Sequence, residues 1–296
     1  AFFTYFGHKK RHRAAPDETT SWMADQAARR ALSEAGWEPQ SLDMIISACG
    51  VMEQPIPSTA ALVQHRLGLG DSGIPAFDIN ATCLSFLLAF DRVLAGFALK
   101  EWRRALIVSA DIASAALDFS NPEASVLFGD GAAAIALEAD GPHRRLAHVF
   151  RTYGHGADLC RIEAGGTRLR PADGIDRFLA GAKFQMDGPG LFRATSRRFP
   201  GFLDDLLGAA GVASSDLHCI IPHQASRAAL EHLKRSLPEG RGKTLDMFAN
   251  VGNLIATSIP FTLAQARQAG RLKAGELGLI VGTSAGVSLG GAVVRW

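Results

Sequence analysis

The stretch ALSEAGWEPQSLDMIIS (residues 31–47) decides the fold, because the chain repeats it later as LLGAAGVASSDLHCIIP (residues 206–222). The two stretches align without gaps at a constant offset of 175 in the numbering. Such internal similarity indicates that one structural unit occurs twice in the chain. Identical positions include Leu32 and Leu207, Gly36 and Gly211, Leu42 and Leu217, Ile45 and Ile220, and Ile46 and Ile221.

A second pair of stretches indicates that the repeat extends through both halves. ALKEWRRALIVSA (residues 98–110) aligns with RLKAGELGLIVGT (residues 271–283) at an offset of 173 in the numbering. The two matches occur in the same order and at nearly the same spacing, which predicts a duplication. Chance similarity between amphipathic helices is the alternative explanation.

The two halves share one order of elements. In each, a helix ends near a glycine, Gly36 or Gly211, where a left-handed cap suits that residue. A strand that is apolar throughout follows, and a second one comes after a long helix. Such strands belong to sheets covered on both faces, so we expect an α/β fold of two halves related by a pseudo-twofold axis. PHRRLAHVFRTYG and GGAVVRW are expected to add further strands.

The duplication also relates three residues that carry chemistry. NATCLSFLLAFDRVLAGFALK (residues 80–100) places Cys83 at the head of an almost wholly apolar helix. An offset of 173 takes Asn80 to Asn253, and an offset of 175 takes Ala48 to His223. If the strand-end turns of both halves face one crevice, then Cys83, His223 and Asn253 converge there.

Each of these residues has a functional and a structural interpretation. The N–H groups and dipole of a helix N-terminus favour the thiolate of Cys83, which is the nucleophilic form. Buried cysteine is also common as a small apolar residue. His223 is either a hydrogen-bond donor and proton carrier or a satisfied structural histidine. Asn253 is either a second donor to the same oxygen or a turn residue. The loop GTSAGVSLGG (residues 282–291) offers backbone N–H groups for an oxyanion hole with the Cys83 amide.

Composition excludes several classes of protein. The chain has 296 residues, 47% of them hydrophobic, with a net charge of +2, as in ordinary globular proteins. Asp91 and Arg92 interrupt the most apolar run, so we expect no membrane span. The basic cluster at residues 8–13 is either a solvated segment or a docking patch for an acidic partner or phosphate, and without a recognition motif it does not indicate nucleic acid. The cysteines show no CxxC or metal-ligand spacing and predict a cytoplasmic protein with reduced thiols: Cys49, Cys83, Cys160 and Cys219.

Ordered blocks along nearly the whole chain resemble the β-ketoacyl-acyl-carrier-protein synthase III group of the thiolase superfamily. The blocks are RHRAAPDETTSWMADQAARRAL, PSTAALVQHRLGL, PAFDINATC, FGDGAAA, GGTRLRP, IIPHQAS, GN before ATSIP, GRLKAGE and GGAVVRW. The resemblance implies a five-layer αβαβα fold and a homodimer. It implies an N-terminal half at 1–165, with its first strand missing, that carries the cysteine. The C-terminal half at 166–296 carries the histidine and the asparagine.

The chemistry that the resemblance implies is a two-stage condensation. Cys83 accepts an acyl group from acyl-CoA or acyl carrier protein, with the amides of Cys83 and Ala285 as the oxyanion hole. His223 and Asn253 then hold a malonyl thioester during a decarboxylative Claisen condensation. These thioesters are substrates, and no metal or redox cofactor is implied. The alternatives are an acyltransferase or non-decarboxylative condensing enzyme on the same scaffold, and a non-catalytic partner subunit.

Departures from the family pattern bear on the substrate. The carrier-contacting arginine is displaced to Arg227, and a glycine triplet is replaced by Ser284, Ala285 and Gly286. Ala1 and Tyr5 stand where housekeeping members place a tryptophan and an arginine that contact CoA. Ile56 matches a residue that reaches across the dimer to bound the acyl pocket, and it predicts a differently shaped, longer pocket. The predicted substrate-binding residues are therefore Ile56, Phe86 (in the apolar helix), Arg227, Ser284 and Gly286.

Overall fold

The computed structural model describes residues 9–296, except for the side chains of residues 122 and 123, and contains two four-stranded sheets. The strands are β1 (Met44–Ser47), β2 (Ala76–Asp78), β3 (Arg104–Asp111), β4 (Gly131–Glu138), β5 (Arg144–Thr152), β6 (Cys160–Arg161), β7 (Gln185–Met186), β8 (Cys219–Pro222), β9 (Leu277–Ser284) and β10 (Ser288–Arg295). The helices are α1 (Thr20–Ala35), α2 (Thr59–Arg66), α3 (Ser85–Ala98), α4 (Pro122–Ser125), α5 (Ile175–Gly181), α6 (Gly188–Ser196), α7 (Phe199–Ala210), α8 (Arg227–Ser236), α9 (Phe248–Val251) and α10 (Ser258–Gln268).

Three strands in each sheet correspond, β1-β3-β4 in the first and β8-β9-β10 in the second, and the fourth strand adds to opposite edges. The first runs β2-β1-β3-β4, with β1 parallel to β2 and β3, and β3 antiparallel to β4. The second runs β5-β10-β9-β8, with β8 parallel to β9, and β10 antiparallel to both of its neighbours. The predicted strands at β5 and β10 are confirmed. β5 precedes residue 165 but pairs with β10 in the second sheet, and the boundary at 165 stays a prediction.

Three apolar cores separate the layers. The central core joins α3 and α10 to the inner faces of both sheets through residues such as Ile46, Leu87, Ile259 and Ile280. A second core packs α1 and α2 against the outer face of the first sheet. A third packs α7 and α8 against the outer face of the second sheet. The resulting order is helix, sheet, helix, sheet, helix, which confirms the predicted five layers.

The offsets found in the sequence hold in the structure. The first residues of β1 and β8 differ by 175 in number, and those of β3 and β9 differ by 173. Gly36 and Gly211 both end a helix with a positive φ, 70° and 66° respectively. A 3₁₀ turn precedes each central helix, at Thr82–Leu84 before α3 and at Ile255–Thr257 before α10. The duplication therefore includes the turns that carry the candidate functional residues.

Two further observations concern the surface of residues 9–296. A groove of about 1230 Å³ lies beside the outer edge of β4, with which no other strand in the described part of the chain pairs. No helix in that part of the chain is both long enough and apolar enough to span a bilayer.

Candidate active site

Cys83 lies in the turn that leads into α3. Thr82 has a positive φ of 52°, and its N–H donates to Asn80 Oδ1 at 2.8 Å. The Ala81 N–H donates to Ser85 Oγ at 2.9 Å, which closes the turn from the helix side. Cys83 is half-buried and packs against an apolar cluster that includes Phe128. The turn thus places the cysteine at the head of the buried helix.

The Asn253 turn repeats this geometry in the other half. Ile255 has a φ of 51°, and its N–H donates to Asn253 Oδ1 at 2.8 Å. The Leu254 N–H donates to Ser258 Oγ at 2.9 Å. Since the turn occupies the amide oxygen of Asn253, its Nδ2 is the donor that remains, and it donates to the Ala225 carbonyl at 3.4 Å. The turn role and the donor role of this asparagine are therefore compatible.

His223 follows β8 and contacts the neighbouring strand, β9. Its backbone N–H donates to the Val281 carbonyl at 2.8 Å. A Cβ at Gly282 would lie 2.7 Å from His223 Cβ and 3.0 Å from Leu84 Cδ2. Only glycine at this position lets the histidine and the residue after Cys83 approach the same stretch of strand. Together with the Asn253 contact to Ala225, this brings the three predicted turns side by side.

A buried carboxylate links the turns of the two halves. Asp111, the last residue of β3, accepts the N–H groups of Gly50 and Val51 on Oδ1, at 2.8 and 2.9 Å. Its Oδ2 accepts the N–H and the hydroxyl of Thr257, at 3.0 and 3.1 Å. Burial raises the pKa of Asp111 to about 6, against these hydrogen bonds, which lower it. The first half thus holds the Asn253 turn in the second half.

Ser284, the last residue of β9, makes the reciprocal link. The offset of 173 relates it to Asp111, at the equivalent strand end. The Cys83 N–H donates to Ser284 Oγ at 3.1 Å, and the Ser284 hydroxyl donates to the Ala81 carbonyl at 2.9 Å. The second half thus holds the Cys83 turn in the first half.

The electrostatics of Cys83 differ from the prediction. Burial raises the pKa of the Cys83 thiol, with smaller contributions from the Cys160 and Asp111 charges. The backbone N–H of Cys83 lowers the pKa, in the direction expected at a helix terminus, but desolvation outweighs this effect. Burial likewise lowers the pKa of His223 to about 3, so its imidazole is neutral near pH 7.

Comparisons with known proteins show the family of the chain. Sequence models described as 3-oxoacyl-[acyl-carrier-protein] synthase III match residues 77–154 and, for its C-terminal part, residues 207–296. A β-ketoacyl-[acyl-carrier-protein] synthase III of Laribacter hongkongensis (strain HLHK9) is 35% identical over 98% of this chain and 88% of its own length. The chain belongs to the synthase III family.

Two more relatives of the synthase III family are informative. An acetoacetyl CoA synthase of Streptomyces sp. (strain CL190) is 37% identical, covering 98% of this chain and 88% of that protein. The crystal structure of a 3-oxoacyl-[acyl-carrier-protein] synthase III from Aquifex aeolicus VF5 superposes with a TM-score of 0.88 at 31% identity. It covers 100% of this chain and 90% of that chain.

The remaining predicted site residues fall in different surroundings. Ala285 and Gly286 form the turn between β9 and β10, directly after Ser284. Ile56 is 84% exposed in the single chain. Arg227, the first residue of α8, forms an ion pair with Asp246 at 2.7 Å. The predicted contacts of these residues with substrate or carrier stay predictions.

Phe86 is buried in the central core. It is 1% exposed and stacks on Phe90 at a centroid distance of 6.1 Å. The structure gives Phe86 a packing role, and its role as a substrate-binding residue stays a prediction.

One residue of the basic cluster has a structural role. The Arg11 guanidinium donates to the carbonyls of Val126 at 2.9 Å and Phe248 at 3.1 Å, and stacks on the Phe248 ring. Burial lowers the pKa of Arg11 to about 10. The described neighbours of Arg11 in the cluster are exposed: Lys9, Lys10, His12 and Arg13. Ala1, Tyr5 and His8 lie outside the described residues.

Sequence reasoning missed two residues that influence the pKa of Cys83. Asp111 ends the apolar strand ALIVSAD, and the offset of 173 that pairs it with Ser284 is the signal that could have found it. Cys160, at the start of β6, raises the pKa of Cys83 through its charge. Burial raises the pKa of Cys160 itself to about 11. No sequence pattern indicated that Cys160 lies close to the site. Among residues 9–296, no group of three or more His, Cys, Asp or Glu side chains is arranged to hold a metal ion.

The buried, neutral His223 predicts a pH-dependent contribution to stability. Its folded pKa of about 3 lies below the ordinary value of 6.5, so the unfolded chain binds the proton first as pH falls. Relative to His223→Gln, the unsubstituted protein should lose stability from about pH 6.5 downward, by up to about 1.4 kcal/mol per pH unit. Urea unfolding of both proteins at four pH values, from about 7.5 down to about 4.5, measures the difference in their free energies of unfolding. Asp111 titrates in both proteins and cancels; parallel stability curves would contradict the burial of a neutral imidazole.

Proposed function

We propose that the chain is a decarboxylating condensing enzyme that joins an acyl group to a malonyl thioester and releases a β-ketoacyl thioester. The observation that carries this proposal is the meeting of the Cys83, His223 and Asn253 turns, each held by hydrogen bonds from the opposite half or the neighbouring strand. Membership of the synthase III family supports it. So does the neutral state of His223, which suits a hydrogen-bond donor to a developing enolate.

The first stage loads the enzyme. Cys83 Sγ attacks the carbonyl carbon of an acyl thioester, and the carbonyl oxygen takes hydrogen bonds from the N–H groups of Cys83 and Ala285. When the tetrahedral intermediate collapses, the bond to the donor sulfur breaks. The CoA or carrier thiol leaves with the proton that Cys83 gave up. Cys83 now carries the acyl group as a thioester.

The second stage forms the carbon–carbon bond. His223 and Asn253 Nδ2 donate to the thioester oxygen of the malonyl group. Carbon dioxide leaves, and the electron pair of the broken bond passes into the enolate that these donors stabilise. The enolate carbon attacks the acyl carbonyl on Cys83. The sulfur departs as a thiolate and takes up a proton, which restores the starting enzyme.

The proposal extends to the substrates and the assembly. The acyl donor and the extender are thioesters of CoA or of an acyl carrier protein, with Arg227 near the carrier's phosphopantetheine. The names of the relatives support both kinds of thioester, since one is a carrier-protein synthase and another an acetoacetyl CoA synthase. A homodimer is part of the proposal, and the exposed Ile56 side chain is suited to reach a second subunit.

Separating the two stages tests the reaction. The unsubstituted protein should gain an acyl adduct on Cys83 from acyl-CoA and release carbon dioxide once malonyl-CoA or malonyl carrier protein is added. His223→Ala and Asn253→Ala should keep the adduct but slow carbon dioxide release by about 100-fold or more, because the enolate loses a donor. Cys83→Ala should form no adduct. Intact mass and trapped carbon dioxide are the measurements, and His155→Ala, at an exposed histidine, is the control.

Each alternative function gives a different result in the same experiment. Ketoacyl product without carbon dioxide points to a non-decarboxylative condensing enzyme. Acyl transfer without any ketoacyl product points to an acyltransferase. No adduct from any acyl-CoA points to a non-catalytic subunit. Any of these three results contradicts the proposal.

The acyl chain length provides a separate prediction. With isoleucine in place of a bulky aromatic side chain at position 56, medium-chain acyl-CoAs should load Cys83 faster than acetyl-CoA. Ile56→Phe should shift the preference toward acetyl-CoA by about tenfold. A difference of one methylene group in an apolar pocket is worth roughly 1–3 kcal/mol of discrimination between substrates. The adduct mass across a series of acyl-CoAs measures both. A strict preference for acetyl-CoA in the unsubstituted protein refutes the longer pocket and matches the name of the Streptomyces relative.

A further inference from the structure

Ser284 stands beside the nucleophile, at a position where members of the synthase III family usually have a glycine. It is 4% exposed, so water does not compete for its hydroxyl. The hydroxyl oxygen accepts the Cys83 N–H at 3.1 Å, and its proton goes to the Ala81 carbonyl at 2.9 Å. The Ser284 hydroxyl also lowers the pKa of the Cys83 thiol. One side chain therefore binds the backbone N–H of Cys83 and influences the ionisation of its thiol.

The thiol needs such help because its surroundings oppose ionisation. Burial raises the pKa of Cys83, and the charges of Cys160 and Asp111 raise it further. The groups that lower the pKa are the Ser284 hydroxyl and the backbone N–H of Cys83, and Ser284 has the larger effect of the two. A hydroxyl donating to a thiolate in a dry site is worth more than a neutral hydrogen bond.

We propose that Ser284 is a catalytic residue in its own right, whose hydroxyl turns from the Ala81 carbonyl to Cys83 Sγ as the thiolate forms. In the free enzyme the same hydroxyl oxygen accepts a hydrogen bond from the Cys83 N–H. When the thioester binds, this bond breaks and the N–H donates to the acyl oxygen instead. The inference deepens the proposed function, on which it rests for its meaning. Its core, the support of the Cys83 thiolate by Ser284, is measurable without any condensation.

The test is the pH profile of Cys83 alkylation by iodoacetamide, with the site identified by peptide mass. Only the thiolate reacts, so the profile reports its ionisation. Ser284→Ala and Ser284→Gly should slow alkylation near neutral pH by about tenfold and shift the profile about one pH unit upward, since each loses a hydrogen bond to a charged group. The glycine variant guards against misfolding, because glycine is the usual family residue there.

Ser288→Ala is the matched control. Ser288 is another buried serine, on β10, and its hydroxyl shares a 2.9 Å hydrogen bond with Thr152 away from Cys83. This variant should keep the alkylation profile of the unsubstituted protein. The proposal is overturned if Ser284→Ala and Ser284→Gly both leave the profile unchanged, or if Ser288→Ala shifts it equally. Failure of carbon dioxide release in the condensation assay would leave this result standing, so the two proposals fail separately.

Discussion

The site depends on a reciprocal pair of hydrogen-bonding links between the two halves of the chain. Asp111 at the end of β3 holds the Thr257 turn of the second half, and Ser284 at the end of β9 holds the Cys83 turn of the first. Both side chains are buried, so loss of either leaves N–H groups without a partner, which costs about 1–3 kcal/mol for each group. Because each link crosses the pseudo-twofold axis, neither half can form its part of the site alone.

Duplication explains the geometry, and later divergence explains the chemistry. Asn80 and Asn253 form the same turn with the same 2.8 Å hydrogen bond. One residue beyond Thr82 comes Cys83, whereas the equivalent residue beyond Ile255 is Ala256. His223 likewise has Ala48 as its counterpart. One half therefore supplies the nucleophile and the other supplies the donors, on a backbone that is nearly the same in both. Two copies of one turn have become two parts of one reaction.

Much of this architecture could be predicted from the sequence, because strands, turns and their repetition depend on local pattern. The offsets of 175 and 173 predict the equivalent strands of the two halves, and the offset of 173 relates Asn80 to Asn253. Properties set by packing could not be predicted. The ionisation of Cys83 depends on how much protein surrounds it, and the direction of Phe86 depends on the facing sheet. Arg11 and Cys160 acquire their roles only through residues that are distant in the sequence.

The most direct test of the account is a crystal structure of the protein with an octanoyl group on Cys83. The account predicts that the acyl oxygen lies about 3 Å from the Cys83 and Ala285 N–H groups, with Ser284 no longer bonded to the Cys83 N–H. It also predicts that His223 and Asn253 Nδ2 line the cavity into which the acyl carbonyl opens. An acyl oxygen turned away from those N–H groups, or protein atoms separating the carbonyl from His223 and Asn253, would contradict it.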